Sequence, residues 1–517
     1  MPSLILPNLN TTHSGHAFKD AAHHRRRNRL LPILQLCPDI VEYILILAAE
    51  LERSTRSLRR STISYSQTCH DWRLIALSVK QLWSRLVDFE NRPLEWNEEM
   101  LRRSDPLPIR LSFHSHYARD MTALRAQLNH LDRVKAYSIG CSETNWGELV
   151  EGLKRPAPQL RSLYIICYRT VYTSNSAPTL LPTSLFAGYA PRLSHLELRE
   201  CLPDFDAPVL ASLTSLRIID IEPRSAPSIS QWLDYLTRMP NLTVLLLEGA
   251  ICPSHDNSSI PPAKSPRFPS ITDLHLDAPL QEVSALLQNL PMRPGASWSV
   301  RCVNSQTGPD LDAVMRKFAT GISTLYKPDD PCPLLLAAHD SDIYLRSEIY
   351  TPESLCPVGV FVNFHLPRFG FWDALFPAVA SLLAGVMPRV SSLELHLPYV
   401  HPAIFPSLHR ASQVDTLVKF SSTMTHYLLP ELQSPLPSTG AMPLPALKTI
   451  MFTDDNSMWG VNYRALLQFL RWREMMGIPI ERIHFVDCLV LEGTLQELTG
   501  MGIHVVSDVG AARWQNL

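Results

Sequence analysis

The sequence is poor in several features that mark familiar classes of protein. It has only 19 glycines in 517 residues, which excludes collagen and glycine-rich linkers. The formal net charge is −2, so no global charge attracts the chain to nucleic acid or acidic lipid. The uncharged stretch at 374–388 is shorter than the ~20 apolar residues that a spanning helix needs. We therefore expect neither nucleic acid nor a membrane as a partner.

The ten cysteines are spread too widely to form a metal-binding motif. The closest two, Cys332 and Cys356, are 24 positions apart, and no Cys-x-x-Cys occurs. Residues 1–10 lack the basic start and sustained apolar run of a secretory signal. We therefore expect reduced thiols in the cytoplasm and/or the nucleus.

Motifs for catalysis are also missing. The sequence has no Gly-x-x-x-x-Gly-Lys-(Ser/Thr) loop, no Gly-x-Ser-x-Gly elbow, and no histidine followed by glutamate. His114 and His116 have no further metal ligand near them in the sequence. We expect a protein that is not an enzyme and needs no cofactor or metal. An enzyme with a scattered active site is an alternative that no motif supports.

Proline is abundant, at 43 residues, which argues against a chain of long uninterrupted helices. Residues 1–30 form a basic tail with arginines at 25, 26, 27 and 29. We expect this tail to be disordered, and a nuclear address is the alternative. Residues 31–90 then show apolar residues at helical spacing. Residues 91–130 are interpreted as a connecting segment.

Three blocks in residues 31–90 resemble an F-box of the kind found in fungal proteins. Leu36–Ile44 is similar to the opening Leu-Pro-x-(Glu/Asp)-Ile-x-x-x-Ile, with Cys37-Pro38 in place of the usual Leu-Pro unless Leu31-Pro32 fills that position. Thr68–Ala76 is similar to Val-Cys-x-x-Trp-Arg-x-(Leu/Ile)-Ala, and Leu82-Trp83 to the closing Leu-Trp. A small helical domain unrelated to the F-box is the alternative.

The F-box resemblance implies a function for this helical module. An F-box docks on a Skp-type adaptor, which joins a cullin. The resemblance implies that one set of residues forms both the core of the module and its interface with the adaptor. These residues are Pro38, Ile40, Ile44, Leu47, Trp72, Leu82 and Trp83.

An apolar template recurs along residues 131–517. It reads Leu-x-x-Leu-x-Leu, and six of its eight copies have proline two residues before the first apolar position. The copies begin at Leu160, Leu193, Leu216, Leu242, Ile271, Val390, Leu447 and Ile480. The template resembles the leucine-rich repeat, in which a short strand, a loop and a helix stack in parallel. The predicted fold class is therefore α/β, with a small all-helical F-box-like module followed by an irregular leucine-rich-repeat-like solenoid.

The repeat is irregular between Ile271 and Val390, which leaves the repeat number open. Weaker strand candidates in this gap are 299–303, 334–338 and 358–364. Val414-x-x-Leu417 is a further degenerate copy.

Strand alternation predicts that residues beside the inward apolar positions face outward. In five copies this outward set contains seven acids and one basic residue. We expect a negative stripe that binds a substrate segment rich in lysine or arginine; ordinary polarity of an exposed strand face is the alternative. The candidate substrate-binding residues are Glu197, Asp220, Glu248, Asp273, Asp277 and Glu394.

Together, the two resemblances imply the substrate-recognition subunit of an SCF-type E3 ubiquitin ligase. Its partners would be the adaptor, through it a cullin, and an unidentified protein substrate. A repeat-protein scaffold with no ligase role is the alternative.

Overall fold

The computed structural model shows a mixed α/β protein whose sixteen strands, in the described residues, are mostly parallel to their neighbours. The structure describes residues 23–28, 30–52, 54–115, 121–169, 179–253, 269–327, 330–339, 342–349, 358–366, 372–397, 401–420, 422–435, 440–453, 463–486, 488, 490 and 492–508. Most of the predicted basic tail, residues 1–22 and 29, lies outside these ranges.

The described chain divides into two compact units. The first contains the described residues up to 169 together with 179–195 and 206–209. The second contains 196–205 and the described residues from 210 onward. The boundaries predicted at 30, 90 and 130 stay predictions.

Between residues 38 and 104 the first unit is helical. Its helices are α1 (Pro38–Glu50), α2 (Thr55–Thr68), α3 (His70–Ser78), α4 (Lys80–Ser84) and α5 (Leu94–Ser104). Proline in the first turn favours the start of α1, since it has no amide hydrogen to leave unpaired there. Ser54 caps α2 by accepting a hydrogen bond from the amide of Ser57 at 3.1 Å. Sequence-local capping therefore sets where these helices begin.

Helix α5 carries a small ion-pair cluster around Glu99. Its carboxylate accepts hydrogen bonds from Arg102 at 2.7 and 2.8 Å and from Arg103 at 2.6 Å. The hydrogen bond from Arg102 is the main reason that the pKa of Glu99 is lowered to about 2. The carboxylate therefore stays ionised well below its ordinary titration range.

After α5, the first unit alternates short strands with short helices. The elements are β1 (Ile109–Ser115), α6 (Thr122–Leu128), β2 (Val134–Ser142), α7 (Trp146–Gly152) and β3 (Ser162–Tyr168). The strands pair in parallel, with Leu111 beside Tyr137 and Tyr137 beside Leu163. Val134, Tyr137 and Ile139 are buried at the template spacing. The sequence search missed this copy because tyrosine replaces the second aliphatic residue.

The second unit continues the same alternation over a longer stretch. Its elements are β4 (His195–Arg199, from residue 196), β5 (Ser215–Ile219), α8 (Ile229–Thr237), β6 (Val244–Glu248), β7 (Ile271–Pro279), α9 (Leu280–Asn289), β8 (Met292–Val303), α10 (Pro309–Leu325), β9 (Pro333–His339), β10 (Asp342–Ile349), β11 (Val358–His365), α11 (Phe376–Leu383), β12 (Ser392–His396), α12 (Phe405–Arg410), β13 (Thr416–Phe420), α13 (Ser422–Glu431), β14 (Thr449–Thr453), α14 (Tyr463–Met475), β15 (Arg482–Val486), α15 (Glu492–Gly500) and β16 (His504–Asp508).

The apolar residues of the predicted copies form the core beneath these strands. In seven of the eight copies all three apolar positions are at most 4% exposed. Phe452 and Phe485, at equivalent positions of neighbouring strands, stack with ring centroids 5.3 Å apart. Within the second unit, neighbouring copies therefore bury their apolar faces against one another.

The copy that begins at Leu216 was predicted in the wrong register. Leu216, Ile219 and Ile221 were expected to point inward and Ile218 outward. Leu216 is fully buried as expected, but Ile218 is fully buried as well. These two residues lie beside Leu245 and Leu247 of β6, and Leu213 is also fully buried. The copy therefore begins at Leu213, and Arg217 faces outward. The adjacent apolar residues at 218 and 219 allow either alternation in the sequence, and only pairing with β6 selects one.

The irregular middle of the second unit contains a reversal of strand direction. The strand order there is β8-β11-β10-β9-β12, and β10 runs antiparallel to both β9 and β11. The three weaker strand candidates are confirmed, because they lie within β8, β9 and β11. Strand β10 was not predicted. Leu417 of the degenerate copy lies in β13, which pairs in parallel with β12 and β14.

A buried arginine near the end of α14 forms hydrogen bonds to the main chain of the second unit. Arg473 is only 1% exposed and donates hydrogen bonds to the carbonyls of Ile478, Leu444 and Leu447 at 2.9, 3.2 and 3.1 Å. Burial lowers its pKa to about 10. The guanidinium thus gives hydrogen-bond donors to three main-chain oxygens, of which that of Leu444 also accepts from the amide of Leu447 at 3.1 Å.

Candidate functional site

Helix α1 is apolar on two opposite sides. Its inner side buries Val41, Leu45 and Ala49, each 1% exposed and spaced four residues apart. Its other side, together with the C-cap residue Leu51, exposes four large apolar residues, which we call the outer face of α1. These are Ile40 (47% exposed), Tyr43 (61%), Leu47 (41%) and Leu51 (82%). Clustered apolar side chains on a protein surface mark an interaction site more often than they occur without a role.

The structure separates the predicted adaptor-binding residues into two groups. Ile40 and Leu47 belong to the outer face of α1, Pro38 is exposed in the first turn, and Ile44 is half-buried between the two sides. Such residues are available to a partner without unfolding the helix.

The remaining predicted residues pack within the first unit. Leu82 and Trp83 are 1% and 2% exposed, and the Trp83 indole donates to the carbonyl of Ala76 at 2.9 Å. Trp72 is partly buried and makes an edge-to-face contact with Tyr65, with ring centroids 6.4 Å apart. Leu82 and Trp83 therefore support the helices rather than offer surface to a partner.

Sequence reasoning missed three exposed apolar residues of the helical part of the first unit. Tyr43 and Leu51 extend the outer face of α1, and Leu74 on α3 is 57% exposed. The signal for the first two was present in the sequence. Positions 40, 43, 47 and 51 follow the three- and four-residue spacing of one helix face.

The outward side of strands β4 to β8 carries charges of both signs. Arg199 contacts Asp220 at 3.4 Å, Arg217 contacts Glu197 at 3.9 Å, and Arg301 contacts Asp277 at 3.2 Å. The predicted stripe of seven acids and one base is therefore corrected. Arg217 was hidden by the wrong register of its copy, and Arg301 lies on β8, which was not among the copies.

Two of the predicted acids on this side, Glu248 and Asp273, form no ion pair with the arginines named above. Within the described part of the chain, neither Glu248 nor Asp273 has a cationic partner within 4 Å. Glu248 is paired in register with Asp277 on β7, and the amide of Asp220 donates to its carbonyl at 2.9 Å. Glu248 of β6 and Asp277 of β7 thus lie side by side, and Asp220, which directly follows β5, lies next to Glu248. Farther along the unit, Glu394 contacts His396 at 2.8 Å.

Groups of three or more histidine, cysteine or carboxylate side chains suited to a metal do not occur in the described ranges. In the same ranges, no helix has the length and apolar character needed to cross a membrane. Comparison with known proteins adds no family: no family model and no curated protein matches the sequence.

Proposed function

We propose that the chain is the substrate-recognition subunit of an SCF-type E3 ubiquitin ligase. In this proposal the F-box-like module at 31–90 binds a Skp-type adaptor, and through it a cullin. The leucine-rich-repeat-like solenoid at 131–517 captures a protein substrate. The chain would then act by holding the substrate near a partner's active site, which raises the effective concentration of the reacting groups.

The observation that carries the proposal is the outer face of α1. Two of its residues, Ile40 and Tyr43, fall within the block that resembles the opening of an F-box, and its large apolar side chains lie open to solvent. A helix that needed only to pack within its own unit would expose polar residues on that side. An adaptor that covered Ile40, Tyr43 and Leu47 would remove this apolar surface from water.

Paired substitutions on the two sides of α1 test the adaptor proposal. Ile40→Ala with Leu47→Ala removes two apolar residues from the outer face, and truncation of a hot-spot residue at an interface costs ~2 kcal/mol or more. We expect a pull-down from cells to lose the adaptor and the cullin, while circular dichroism and the unfolding midpoint stay unchanged. As the matched control, Glu42→Gln lies on the same helix away from this face and should retain both partners.

The opposite outcome favours the second candidate function. If the full chain captures other proteins but never the adaptor or the cullin, it is a scaffold of repeat type without a ligase role.

For the substrate, the unpaired acids favour a segment rich in lysine or arginine. Glu248 lies beside Asp277 of β7, and like charges on neighbouring strands are destabilising, so a cationic ligand beside Glu248 would relieve this repulsion. Asp273, which has Val244 and Ser297 beside it, would offer such a ligand a second carboxylate. Glu248→Gln with Asp273→Asn should weaken capture of the substrate, most clearly at low salt, and leave adaptor binding intact. Glu474→Gln, an exposed acid on α14, is the control. Equal capture by wild type and the double variant at low and high salt would exclude this surface.

A further inference from the structure

Besides the apolar outer face of α1, the first unit has a second surface, which carries positive charge. A cavity of about 230 Å³ lies where the last turn of α1, helix α4 and the starts of β1 and β2 come together. Its wall includes three cationic side chains, Arg85, Arg110 and Lys135, and one acid, Glu50. Because the whole chain has a net charge of −2, this local excess of positive charge is not an effect of composition.

Among the described residues, Glu50 is the one acid in the wall with these three cations. In the described ranges, no carboxylate lies within 4 Å of the side-chain nitrogens of Arg85, Arg110 or Lys135. Arg85 is held in place by a hydrogen bond from Nη1 to the carbonyl of Ala49 at 3.1 Å. This contact also pairs a carbonyl at the end of α1, where the helix dipole is negative. The remaining donors of Arg85 are available to a ligand.

Apolar side chains form much of the remaining wall, together with the polar residues Gln81 and Ser84. Ile46 and Pro108 contribute to it and are accessible to solvent, while Leu82 and Ala49 form its buried part. A bare anion would use the cations and leave this apolar wall uncovered. A peptide with one apolar side chain between acidic residues would use both kinds of surface.

We propose that this cavity binds an acidic peptide segment of a partner protein. The segment would place one apolar side chain against Ile46 and Pro108. Its carboxylates would accept charge-assisted hydrogen bonds from Arg85, Arg110 and Lys135. The inference is independent of adaptor binding, because none of these residues belongs to the outer face of α1.

The test is a fluorescence anisotropy titration of the full chain. The probe is a short fluorescein-labelled peptide of glutamates with one central leucine. Arg110→Gln with Lys135→Gln should weaken its binding about tenfold, since each lost surface charge contact has a modest energy. Arg102→Gln with Lys154→Gln removes two exposed cations elsewhere in the unit and should leave affinity unchanged.

Further arms of the titration make the proposal falsifiable. A probe with glutamine in place of glutamate should not bind, and raising salt should weaken the acidic probe. The absence of binding at low salt, or equal affinity in wild type and the Arg110/Lys135 double variant, overturns the proposal. Complete displacement of the probe by inorganic phosphate at equal concentration also overturns it, because the site would then be a simple anion site. Arg85 is left intact in these variants, since its bond to Ala49 contributes to folding.

Discussion

Replacement of Arg473 by methionine is expected to destabilise the second unit strongly. Its three hydrogen bonds to carbonyls come from a charged donor, and such bonds contribute about 1.5–3 kcal/mol each. The burial that lowers its pKa to about 10 offsets about 3 kcal/mol of this gain. We therefore expect Arg473→Met to lower the free energy of unfolding by about 2–5 kcal/mol.

Urea unfolding followed by tryptophan fluorescence measures this change. Arg471→Met is the matched control, because Arg471 lies on the same helix, is 63% exposed, and forms a surface ion pair with Glu497 at 2.6 Å. That variant should change stability by less than about 1 kcal/mol. Arg473→Lys should fall between the two, since an ammonium group cannot reach three carbonyls at once. Equal unfolding midpoints for Arg473→Met and Arg471→Met would refute the structural role of the buried guanidinium.

Three further outcomes are expected. Ile218→Ala should cost about 2–5 kcal/mol in urea unfolding, because Ile218 is fully buried; a neutral effect would restore the register first predicted for that copy. The lowered pKa of Glu99 gives stability that is present above pH 4.5 and is lost as the pH falls through about 2. The difference in stability between wild type and Glu99→Gln should therefore shrink over that range. A constant difference would argue against the ion-pair cluster. In the native state a thiol reagent should label the exposed Cys37 quickly and the buried Cys201 and Cys488 only after unfolding; fast labelling of the latter two would contradict their burial.

The repeat core was predictable because burial leaves a simple trace in the sequence. Apolar residues at fixed spacing, often preceded by proline, identified strands β3, β4, β6, β7, β12, β14 and β15. The prediction was wrong at Leu216, where neighbouring apolar residues fit two alternations and the choice depends on the adjacent strand. Strand β10 was missed because its direction reverses, which no local pattern records.

The candidate surfaces were only partly predictable for a related reason. A helical pattern identifies apolar residues but does not say which face is covered, so Ile40 and Trp83 were given one role although one is exposed and the other buried. The acids on the strands were recognisable. Their partners Arg217 and Arg301 come from neighbouring strands whose register the sequence does not reveal.

The binding of the purified full chain to a purified Skp-type adaptor is the most direct test of the proposed function. Isothermal titration calorimetry should show a one-to-one complex with a negative heat-capacity change, because apolar surface on α1 leaves water on binding. The Ile40/Leu47 double alanine variant should bind much more weakly while remaining folded. A wild-type chain that is folded and shows no heat of binding and no complex in gel filtration would contradict the assignment to an SCF-type ligase.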